Sequence, residues 1–544
     1  MTPTSTTPLP RVILLSGRVC AGKSSLAANL VKRTGATVLK TKNLIEQVLQ
    51  RQRPDRRSLQ NGGERLDKQT DGRWLNAELN KLLTTAKDVQ LLVVDAVRIE
   101  RQVRWIRQSG WPVVHVHLTA DSAVLARRYR HRRGKAAEVK RYGDLSSSEA
   151  ERMVDSLESI ADVVVNTDRC NVDDVYARVA ARLEVRPANA SPLVDVFIGG
   201  QYGSEGKGNI VHYLAPEYDV LVRVGGPNAG HKVYRRDQDP FTFHQVPSGA
   251  LANRNAKLVI GAGAVIGLET LRKEISDLSL EVGKLLIDPR AMIIEGKDVD
   301  YEVKSLRDEI ASTAQGVGHA TARKILNRKP GGDVRLACDI PVLKHYLEDT
   351  VEFFGQCLSQ GKRIMLEGTQ GTSLSIHHGP YPHVTSRVTT ATGCLAEAGL
   401  PSKQVRRIVM VCRTYPIRVG NTDTGKTSGP MSEEISLAEI SRRSGISRRE
   451  LERTERTSTT NRPRRIAEFD WAQLRRSLIL NGPTDIALTF ADYLGVTNRE
   501  AYRFEQLNVE TLRFIEEMER VSGVPVTLIS TAFNERNVID RRMW

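Results

Sequence analysis

Two glycine-rich stretches of this chain end in a lysine, and each follows an apolar segment. Residues 17–24 (GRVCAGKS) follow RVILLSG at 11–17, and residues 201–208 (QYGSEGKG) follow VDVFIGG at 194–200. Glycines allow successive backbone N–H groups to turn inward around an anion, and the N-terminus of a following helix adds partial positive charge. A lysine at the end of such a loop can reach phosphate oxygens. Both stretches are therefore predicted to bind the phosphates of nucleotides.

The first stretch fits the pattern GxxxxGK[ST] at every position, with Gly17, Gly22, Lys23 and Ser24 as its defining residues. It lies between a predicted strand and the predicted helix SSLAANLVKR, which is the context that a P-loop requires. We expect Lys23 to reach the β- and γ-phosphates and Ser24 to ligate Mg²⁺. The alternative is a glycine turn whose lysine faces solvent.

Acidic and basic residues follow this loop at the places where phosphoryl transfer needs them. Asp95 ends the predicted strand LLVVD at 91–95, and Arg98 follows at the carboxyl edge of the sheet, where ligands collect. The run ARRYRHRRGK at 126–135, with Arg128 and Arg132, could form a lid that places positive charge around the moving group. A solvated helix face is the alternative for these arginines. Residues 11–185 resemble the nucleoside monophosphate kinase-like branch of P-loop proteins. This domain could be an active kinase or a degenerate domain with a regulatory role.

The apolar segments alternate with helical patterns in both halves of the chain, which predicts an α/β fold with mainly parallel sheets. The Pro/Ala/Asn/Ser-rich stretch RPANASPL at 186–193 separates the halves. We therefore predict a P-loop kinase-like domain followed by a larger α/β domain. The predicted organisation is a flexible tail (1–10), the first domain (11–185), a linker (186–193) and the second domain (194–544).

Composition argues against a membrane protein and against a nucleic-acid-binding protein. The 544 residues are 40% hydrophobic and 26% charged, and no apolar run approaches the ~20 residues that span a bilayer. The six cysteines lie far apart without a CxxC pair, which favours a reducing, cytoplasmic location. The net charge of +16 raises nucleic acid or small anions as partners. With 5% aromatic residues and no nucleic-acid-reading motif, we expect nucleotides rather than nucleic acid, and no membrane.

A series of ordered motifs follows the second glycine loop. They are GGPNAGH (225–231), FHQVPSG (243–249), STAQGVG (312–318), LEGTQGTSL (366–374), YPHVTS (381–386), RVG (418–420), TTNRPRR (459–465), LTFAD (488–492) and ISTAFN (529–534). In this order and spacing they resemble the adenylosuccinate synthetase family across nearly all of 194–544. The resemblance implies a two-step ligation. A nucleotide γ-phosphate is transferred to the purine 6-oxygen, and the α-amine of aspartate then displaces phosphate at C6.

The resemblance and the residue types together assign a role to each motif. The expected catalytic residues are Ser204, Lys207, His231 and Gln370. The expected purine monophosphate-binding residues are Asn228, Ser312, Thr313, Gln370, Thr385, Val419 and Arg462, and those for aspartate are Thr459, Thr460, Arg462 and Arg464. The donor nucleotide is expected at Gly203, Glu205, Gly206, Lys207, Gly208, Arg464, Asp492, Ser530 and Thr531, and Mg²⁺ at Ser204 and the Gly230 carbonyl. The two arginines suit carboxylates because a guanidinium binds them bidentately.

Ser204 departs from the family pattern, which has an aspartate that takes the N1 proton of IMP. A serine hydroxyl has a pKa far above neutral and is not a resting general base. It is also shorter, which leaves room for a 2-amino group. This departure resembles the branch of 2-aminoadenylosuccinate synthetases, which join aspartate to dGMP. Our leading hypothesis is ligation of aspartate to dGMP or GMP. The alternative is the ordinary reaction of IMP with GTP.

The predicted phosphate donor is also open. In the family, the motif TKxD recognises the guanine base of the donor. Here Phe490 replaces the lysine of that motif while Asp492 remains. ATP or dATP is therefore as credible a donor as GTP. The lysine that ends the family's glycine loop is Asn209 here. The family's subunit-bridging arginine has no clear counterpart, with Arg328 or Lys324 as candidates. The resemblance nevertheless implies a homodimer.

Other readings of single residues and of the whole chain stay open at this point. Glu205 and Glu367 could be packing or capping acids as easily as active ones, and no metal role is assigned to His377, His378 and His383. A nucleotide-binding sensor that has lost catalysis is the alternative from another class. The intact Lys207, His231, Gln370, Arg462 and Arg464 favour an enzyme.

Overall fold

The computed structural model describes residues 10–49, 56–86, 89–131, 153–168, 170–184, 191–235, 238–422, 424–457, 463–533 and 537–542. The chain divides into two compact units, Met1–Val185 and Arg186–Trp544. No helix within the described ranges has both the length and the apolar character that crossing a bilayer requires.

The first unit is built on a parallel sheet whose described strands have the order β2-β3-β1-β4-β5. Its central strands are rich in Val, Ile and Leu because helices cover both faces of the sheet, so that most of their side chains are buried. In β1 all residues except the first are buried. The strands are β1 (Arg11–Ser16), β2 (Thr37–Lys40), β3 (Leu91–Asp95), β4 (Val113–Thr119) and β5 (Val163–Asn166).

The helices of the first unit pack their apolar stripes against this sheet. Leu26, Ala27 and Leu30 of the first helix are buried in one core, and Leu75, Leu79 and Leu83 of the fourth in the other. The described α-helices are α1 (Lys23–Thr34), α2 (Thr41–Leu49), α3 (Arg56–Thr70), α4 (Arg73–Thr85), α5 (Glu100–Arg107), α6 (Ser122–Arg130) and α7 (Val172–Glu184).

The second unit contains a larger sheet with the strand order β12-β10-β7-β14-β6-β15-β18-β19-β20 among its described residues. Its strands are parallel except for the pair β19 and β20. The strands of this unit are β6 (Val194–Gly199), β7 (Val220–Arg223), β8 (His231–Arg235), β9 (Gln238–Phe243), β10 (Lys257–Ile260), β11 (Val265–Ile266), β12 (Leu285–Ile287), β13 (Met292–Ile293), β14 (Ile364–Glu367), β15 (Val405–Arg413), β16 (Ile417–Val419), β17 (Arg464–Ile466), β18 (Asp485–Thr489), β19 (Val526–Ser530) and β20 (Val538–Asp540).

Helices lie on both faces of this sheet, and two apolar cores separate them from it. The described α-helices are α8 (Lys207–Leu214), α9 (Leu268–Asp277), α10 (Gly296–Ser305), α11 (Arg307–Ile310), α12 (Val317–Leu326), α13 (Thr350–Ser359), α14 (Ala391–Ala398), α15 (Leu437–Ser444), α16 (Arg448–Thr454), α17 (Trp471–Asn481) and α18 (Val509–Ser522). Short 3₁₀ helices occupy Ser156–Ile160, Ala215–Glu217, Ala337–Asp339, Pro341–Tyr346, Thr372–Leu374, Ser402–Gln404, Ala491–Leu494, Val496–Glu500 and Phe504–Gln506. The predicted α/β fold class is confirmed.

The parallel strands bring the sequence motifs of the second unit to one edge. The glycine loop follows β6, GGPNAGH follows β7, and the GTQG segment follows β14. The TFAD segment ends β18, and ISTA ends β19. Ligands of open α/β sheets bind at the carboxyl ends of the strands, and these ends therefore define the place to look for a site.

Candidate active site

The second glycine loop turns sharply between β6 and α8. Gly203 (φ +87°), Ser204 (φ +58°) and Gly206 (φ +84°) all have left-handed backbone conformations, and the Ser204 side chain is exposed. A non-glycine residue in this region is uncommon and marks a locally constrained turn. Gly371 packs against the loop so closely that a Cβ would collide with the Gln201 carbonyl and the Gly203 nitrogen. The GTQG segment and the glycine loop are thereby held in contact.

Lys207, the first residue of α8, is buried at the centre of this contact. Its Nζ donates to Glu205 Oε2 at 2.7 Å and to the Gln370 carbonyl at 2.6 Å. The other oxygen of Glu205 accepts the Gly203 N–H at 2.7 Å and the Gln201 N–H at 3.1 Å. Glu205 is therefore a buried partner of Lys207 that also shapes the loop. The ammonium group is fixed beside the site rather than free in solvent.

His231, the first residue of β8, forms a second buried charge cluster. Its Nδ1 donates to Glu367 Oε1 at 2.5 Å. The Ser248 hydroxyl also donates to Glu367, and the Ser248 N–H donates to Glu367 Oε2 at 2.8 Å. The Arg223 guanidinium lies 3.5 Å from Glu367 and donates to the Ala229 carbonyl at 2.8 Å. With its Nδ1–H committed to Glu367, His231 keeps Nε2 for a ligand.

The charges in this cluster determine the protonation state of His231. Burial and the positive charge of Arg223 lower the pKa of His231, with Glu367 opposing them. Burial raises the pKa of Glu367, but Arg223 and His231 outweigh it and hold the pKa well below its usual range. Glu367 is thus an anion and His231 a neutral ring at neutral pH, with Arg223 neutralising the carboxylate.

The amide side chains around the cleft retain unused acceptors. Gln370, at φ +63°, donates from Nε2 to Thr385 Oγ1 at 2.7 Å, which joins two of the predicted monophosphate-binding residues. In the described part of the chain, Gln370 Oε1 and Asn228 Oδ1 are buried without a hydrogen-bond partner. Buried polar atoms are rarely left unpaired, so these two oxygens are suited to N–H groups of a ligand.

Ser312 and Thr313 lie in the loop before α12. The Ser312 hydroxyl accepts the Ala314 N–H at 3.1 Å, and the Thr313 carbonyl accepts Gln315 Nε2 at 3.1 Å. Val317, which directly follows this loop at the start of α12, packs closely against Gly226. A Cβ added to Gly226 would lie 2.8 Å from Val317 Cγ2. The loop therefore adjoins the GGPNAGH segment.

Arg464 lies opposite Val419 in the ribbon formed by β16 and β17. Its Nη1 donates to Glu455 Oε2 at 3.3 Å, and Glu455 also accepts Arg413 Nη2 at 2.7 Å and the Tyr493 hydroxyl at 2.6 Å. The Val419 carbonyl accepts the Ser428 hydroxyl at 2.7 Å. A single buried carboxylate therefore positions two arginines at this end of the sheet.

A pocket opens beside the glycine loop at the ends of β18 and β19. It is lined by Gly206, Asn209, Thr489, Phe490, Asp492, Ser530, Ala532 and Phe533. The rings of Phe490 and Phe533 meet edge to face at 5.7 Å, and the Arg413 guanidinium lies 3.8 Å from the Phe490 ring centroid. The Ser530 hydroxyl donates to the Ala532 carbonyl at 2.9 Å, while Thr531 is buried and donates to the Ala501 carbonyl at 3.3 Å. The pocket combines aromatic surface with one carboxylate.

The loop of the first unit has the geometry of a phosphate cradle. Gly17 (φ +128°) and Gly22 (φ +108°) are left-handed, and Lys23 begins α1. Lys23 Nζ donates to the Gly17 carbonyl at 2.6 Å and to the Arg18 carbonyl at 2.9 Å, so that it arches over the loop. The Ser24 hydroxyl donates to Asp95 Oδ2 at 3.4 Å. A hydroxyl and a carboxylate thus meet where a P-loop holds Mg²⁺.

The two predicted arginines of the first unit differ in their surroundings. Arg98 is exposed beyond the end of β3, and its backbone N–H donates to Gln102 Oε1 at 2.9 Å. Arg128 donates to the Thr167 hydroxyl at 2.8 Å and the Thr167 carbonyl at 2.7 Å. Arg128 therefore ties α6 to the end of β5, and within the described residues its guanidinium is already engaged.

Two buried histidines lie beneath this loop and predict a pH-dependent stability. His115 Nε2 and His117 Nδ1 contact the Ser16 hydroxyl at 2.7 and 2.9 Å, and burial lowers the pKa of His115 to about 4. The unfolded histidine binds protons below pH ~6.5, so stability present above that pH is lost as the pH falls toward 4. Between pH 7 and 5 we expect His115 to cost about 2 kcal/mol.

Thermal melting of the chain and of a His115→Gln variant at pH 7 and pH 5 measures this effect. The variant is expected to lose less stability on acidification than the unaltered chain. The matched control is His131→Gln, since His131 is exposed and its replacement should leave the pH dependence unchanged. An equal acid-induced loss in all three proteins would contradict the prediction.

Four of the predicted residues lie outside the described residues. They are Arg132 of the first unit and Thr459, Thr460 and Arg462 of the second.

Several residues of the site were not singled out from the sequence. Arg223 is a charged residue at the end of the otherwise apolar strand VLVR, which is the signal that could have found it. Arg413 likewise ends the apolar run IVMVC of β15, and Ser248 lies in the FHQVPSG motif, whereas Glu455 and Arg499 carried no such signal. Glu367, left open between packing and activity, is the acceptor for His231.

The fold and the site together are typical of an α/β enzyme that acts on phosphorylated substrates. The site has a buried lysine in a glycine loop and a histidine–carboxylate pair beside it. A sequence profile described as adenylosuccinate synthetase matches residues 196–336 and 339–499. The chain belongs to the adenylosuccinate synthetase family, whose members are C–N ligases. A second profile, described as an AAA domain, matches residues 12–160. The predicted family and enzyme class are confirmed.

Relatives from archaea match the second unit over almost their full length. Adenylosuccinate synthetase of Methanocaldococcus jannaschii is 36% identical over 358 residues, which are 64% of this chain and 96% of the relative. The enzyme of a Pyrococcus species is 34% identical over 359 residues, covering 64% of this chain and 98% of its own.

Solved structures resemble the same region. The succinoaminodeoxyadenylate synthetase of cyanophage S-2L, bound to dGMP and to dATP as an energy donor, is 29% identical with a TM-score of 0.54. The match covers 65% of this chain and 96% of the phage protein. The fully ligated adenylosuccinate synthetase of Plasmodium falciparum has the same fold, with 22% identity, a TM-score of 0.55 and coverage of 65% and 100%.

Proposed function

We propose that the second unit joins the amino group of L-aspartate to C6 of a guanine monophosphate, dGMP or GMP, with hydrolysis of a nucleoside triphosphate. The observation that carries this proposal is Ser204, which is exposed in the glycine loop three residues before Lys207. Its short side chain leaves space beside the N1/C2 edge of a purine, and its hydroxyl oxygen can accept a hydrogen bond. A guanine base has a 2-amino donor for that position, and hypoxanthine has none.

The buried acceptors of the cleft support the same proposal. Gln370 Oε1 and Asn228 Oδ1 lack partners within the described residues, and both accept hydrogen bonds. A guanine base carries one more N–H donor group than hypoxanthine. The phage enzyme that resembles this chain was solved with dGMP, which is the substrate proposed here.

The proposed reaction has two balanced steps. In the first, the purine O6 attacks the γ-phosphorus, N1 releases its proton to water, and the nucleoside diphosphate leaves with the bridging oxygen. In the second, the aspartate amine attacks C6, its nitrogen releases a proton to water, and the C6–O6 bond breaks to release inorganic phosphate. Lys207, fixed by Glu205, stabilises the negative charge of the transferred phosphoryl group. His231, oriented by Glu367, presents the Nε2 lone pair of its neutral ring to the reacting groups, where it can accept a proton.

Aspartate is proposed to bind near the ribbon of β16 and β17. Arg464 is held there by Glu455, and a guanidinium so oriented can bind a carboxylate with two parallel hydrogen bonds. Arg462, Thr459 and Thr460 are proposed to complete this site. Ser312, Thr313, Thr385 and Val419 are proposed to bind the monophosphate.

The oxygen atoms beside the glycine loop fit Mg²⁺ only in part. The Ser204 hydroxyl and the Gly230 carbonyl are hard oxygen donors, but Glu205 is committed to Lys207 and to two backbone N–H groups. Mg²⁺ commonly takes one or two protein oxygens and completes its octahedron with phosphates and water. We propose that Ser204 and Gly230 hold the ion in this way. When bound, it would neutralise the phosphate charge of the donor.

The donor nucleotide is proposed to place its phosphates on the glycine loop (Gly203, Glu205, Gly206, Lys207 and Gly208) and its base in the pocket lined by Asp492 and Ser530. Thr531 follows Ser530 and is buried. ATP or dATP and GTP are the candidates. We further propose a cytoplasmic homodimer.

For the first unit we propose nucleotide phosphotransfer. Lys23 and Ser24 are proposed to bind the triphosphate, and Asp95 the ion beside it. Arg98, exposed at the sheet edge, is proposed to face the acceptor, with Arg128 and Arg132 contributing to the lid. Phosphotransfer by the full chain and by a Lys23→Ala variant, with a panel of nucleoside monophosphates, tests this proposal.

The experiment that tests the ligase proposal measures phosphate release by the full chain with aspartate and Mg²⁺. IMP, GMP and dGMP are offered separately with ATP, dATP or GTP, and mass spectrometry detects the succinyl adduct. Product from dGMP or GMP and none from IMP is the expected result. Product from IMP alone would establish the ordinary adenylosuccinate reaction. Absence of product with every purine would favour the nucleotide sensor.

A further inference from the structure

Among the lining residues that the structure describes, Asp492 is the one charged residue of the pocket beside the glycine loop, and its carboxylate is already paired with an arginine. Arg499 Nε donates to Asp492 Oδ2 at 2.9 Å, and Asp492 is 1% exposed. Arg499 is itself anchored, because its Nη2 lies 2.9 Å from Glu450 Oε1 on α16. The carbonyl of Arg499 accepts Asn537 Nδ2 at 2.9 Å, which fixes the backbone as well.

This arrangement limits the hydrogen bonds that Asp492 can offer to a base. The Watson–Crick edge of guanine presents two adjacent donors, N1–H and the 2-amino group, which suit a carboxylate with both oxygens free. Adenine presents a single donor, the 6-amino group, next to the acceptor N1. Because Oδ2 already accepts from Arg499, the carboxylate offers fewer positions to ligand donors, which suits a base with one donor.

The aromatic residues of the pocket provide surface for stacking. Phe490 occupies a left-handed conformation at φ +57°, and its ring is held between the Arg413 guanidinium and Phe533. Phe533 also contacts Tyr234 with ring centroids 4.8 Å apart. Aromatic faces bind any purine, so stacking on them does not distinguish adenine from guanine.

From this geometry we propose that Arg499 is a specificity-determining residue, which occupies the Asp492 carboxylate and thereby selects an adenine nucleotide over a guanine nucleotide as the phosphate donor. The inference rests on the proposed ligase function and names the donor class of that same site. A donor with an adenine base would also not compete with the guanine monophosphate acceptor for the same base pocket.

The test compares donor use by Arg499→Met, Arg499→Lys and the unaltered chain at pH 8.5, where the freed carboxylate is ionised. All proteins carry Lys23→Ala, so that the first unit's loop does not contribute. The ratio of kcat/KM for ATP to that for GTP is measured with dGMP and aspartate, and binding of fluorescent ATP and GTP analogues is measured in parallel. Arg448→Met is the matched control, since Arg448 is an exposed arginine of α16 paired with Glu452.

We expect the unaltered chain to favour ATP, and Arg499→Met to shift the ratio toward GTP by about tenfold, the discrimination typical of one bidentate base contact. Arg499→Lys keeps a positive charge beside the carboxylate and should retain most of the preference, and Arg448→Met should retain all of it. If Arg499→Met does not fold, Glu450→Gln loosens the same guanidinium and should shift the ratio in the same direction.

A preference of the unaltered chain for GTP, or an unchanged ratio in Arg499→Met, would overturn the inference. Its failure is distinct from failure of the proposed function. A chain that binds ATP over GTP and reverses that preference on loss of Arg499, yet forms no ligation product, would support the inference and refute the function alone.

Discussion

Replacing Glu367 with glutamine is expected to lower the ligation rate by about 100-fold and to destabilise the second unit by about 3 kcal/mol. The carboxylate accepts hydrogen bonds from His231 and from Ser248, and it neutralises the buried Arg223. Glutamine preserves the shape but removes the charge, which leaves Arg223 as an uncompensated buried cation. It also weakens the bond that fixes the His231 tautomer, so that Nε2 no longer faces the reacting groups in one orientation.

The rate is measured as phosphate release per folded molecule, and stability by urea unfolding. Asp195→Asn is the matched control, because Asp195 is also a buried carboxylate that pairs with an arginine, Arg406, and with Tyr218. It lies in β6 away from the glycine loop. The control should lose stability but keep its rate per folded molecule. Equal losses of rate in both variants would mean that Glu367 has only a structural role.

Replacing Lys207 with methionine is expected to reduce the turnover of the ligation by about 1,000-fold, because it removes the cation that Glu205 holds inside the loop. The effect should fall on kcat more than on KM, since the charge on the phosphoryl oxygens is greatest during transfer. Glu205 retains its two backbone donors, so the loop should keep its shape.

Steady-state kinetics with the donor varied measures this split. Lys257→Met is the matched control, because Lys257 is an exposed lysine at the start of β10 whose ammonium donates to the Gly283 carbonyl at 2.6 Å. It should retain full turnover. A Lys207→Met variant that raises KM without lowering kcat would contradict the assigned role, since it would indicate uniform binding of the phosphates.

The sequence predicted the parallel strands and both glycine loops because these depend on local patterns. Apolar runs such as VDVFIG are buried on both faces, and the glycines of each loop adopt the left-handed angles that their spacing indicated. The order of the strands in the sheet also brought the separate motifs to one edge, as expected for the carboxyl ends of parallel strands.

The charge clusters could not be predicted in the same way because their members are distant in sequence. His231 and Glu367 are 136 residues apart, and Arg413 and Glu455 are 42 apart. Nothing in a single sequence says which buried acid meets which base, since the pairing follows from strand order and loop packing. Arg499 is only seven residues from Asp492, yet the turn that brings them together follows a left-handed Phe490 that no pattern indicated.

The most direct test of the proposed function is a competition experiment. The full chain is given equimolar dGMP and IMP in one reaction with aspartate, Mg²⁺ and ATP, and mass spectrometry compares the two succinyl products. The same reaction is run with Ser204→Asp. The unaltered chain is expected to form the dGMP product almost alone, and Ser204→Asp to shift the ratio toward IMP. Equal products from the unaltered chain, or a ratio that Ser204→Asp does not change, would contradict the assignment of Ser204 to 2-amino recognition.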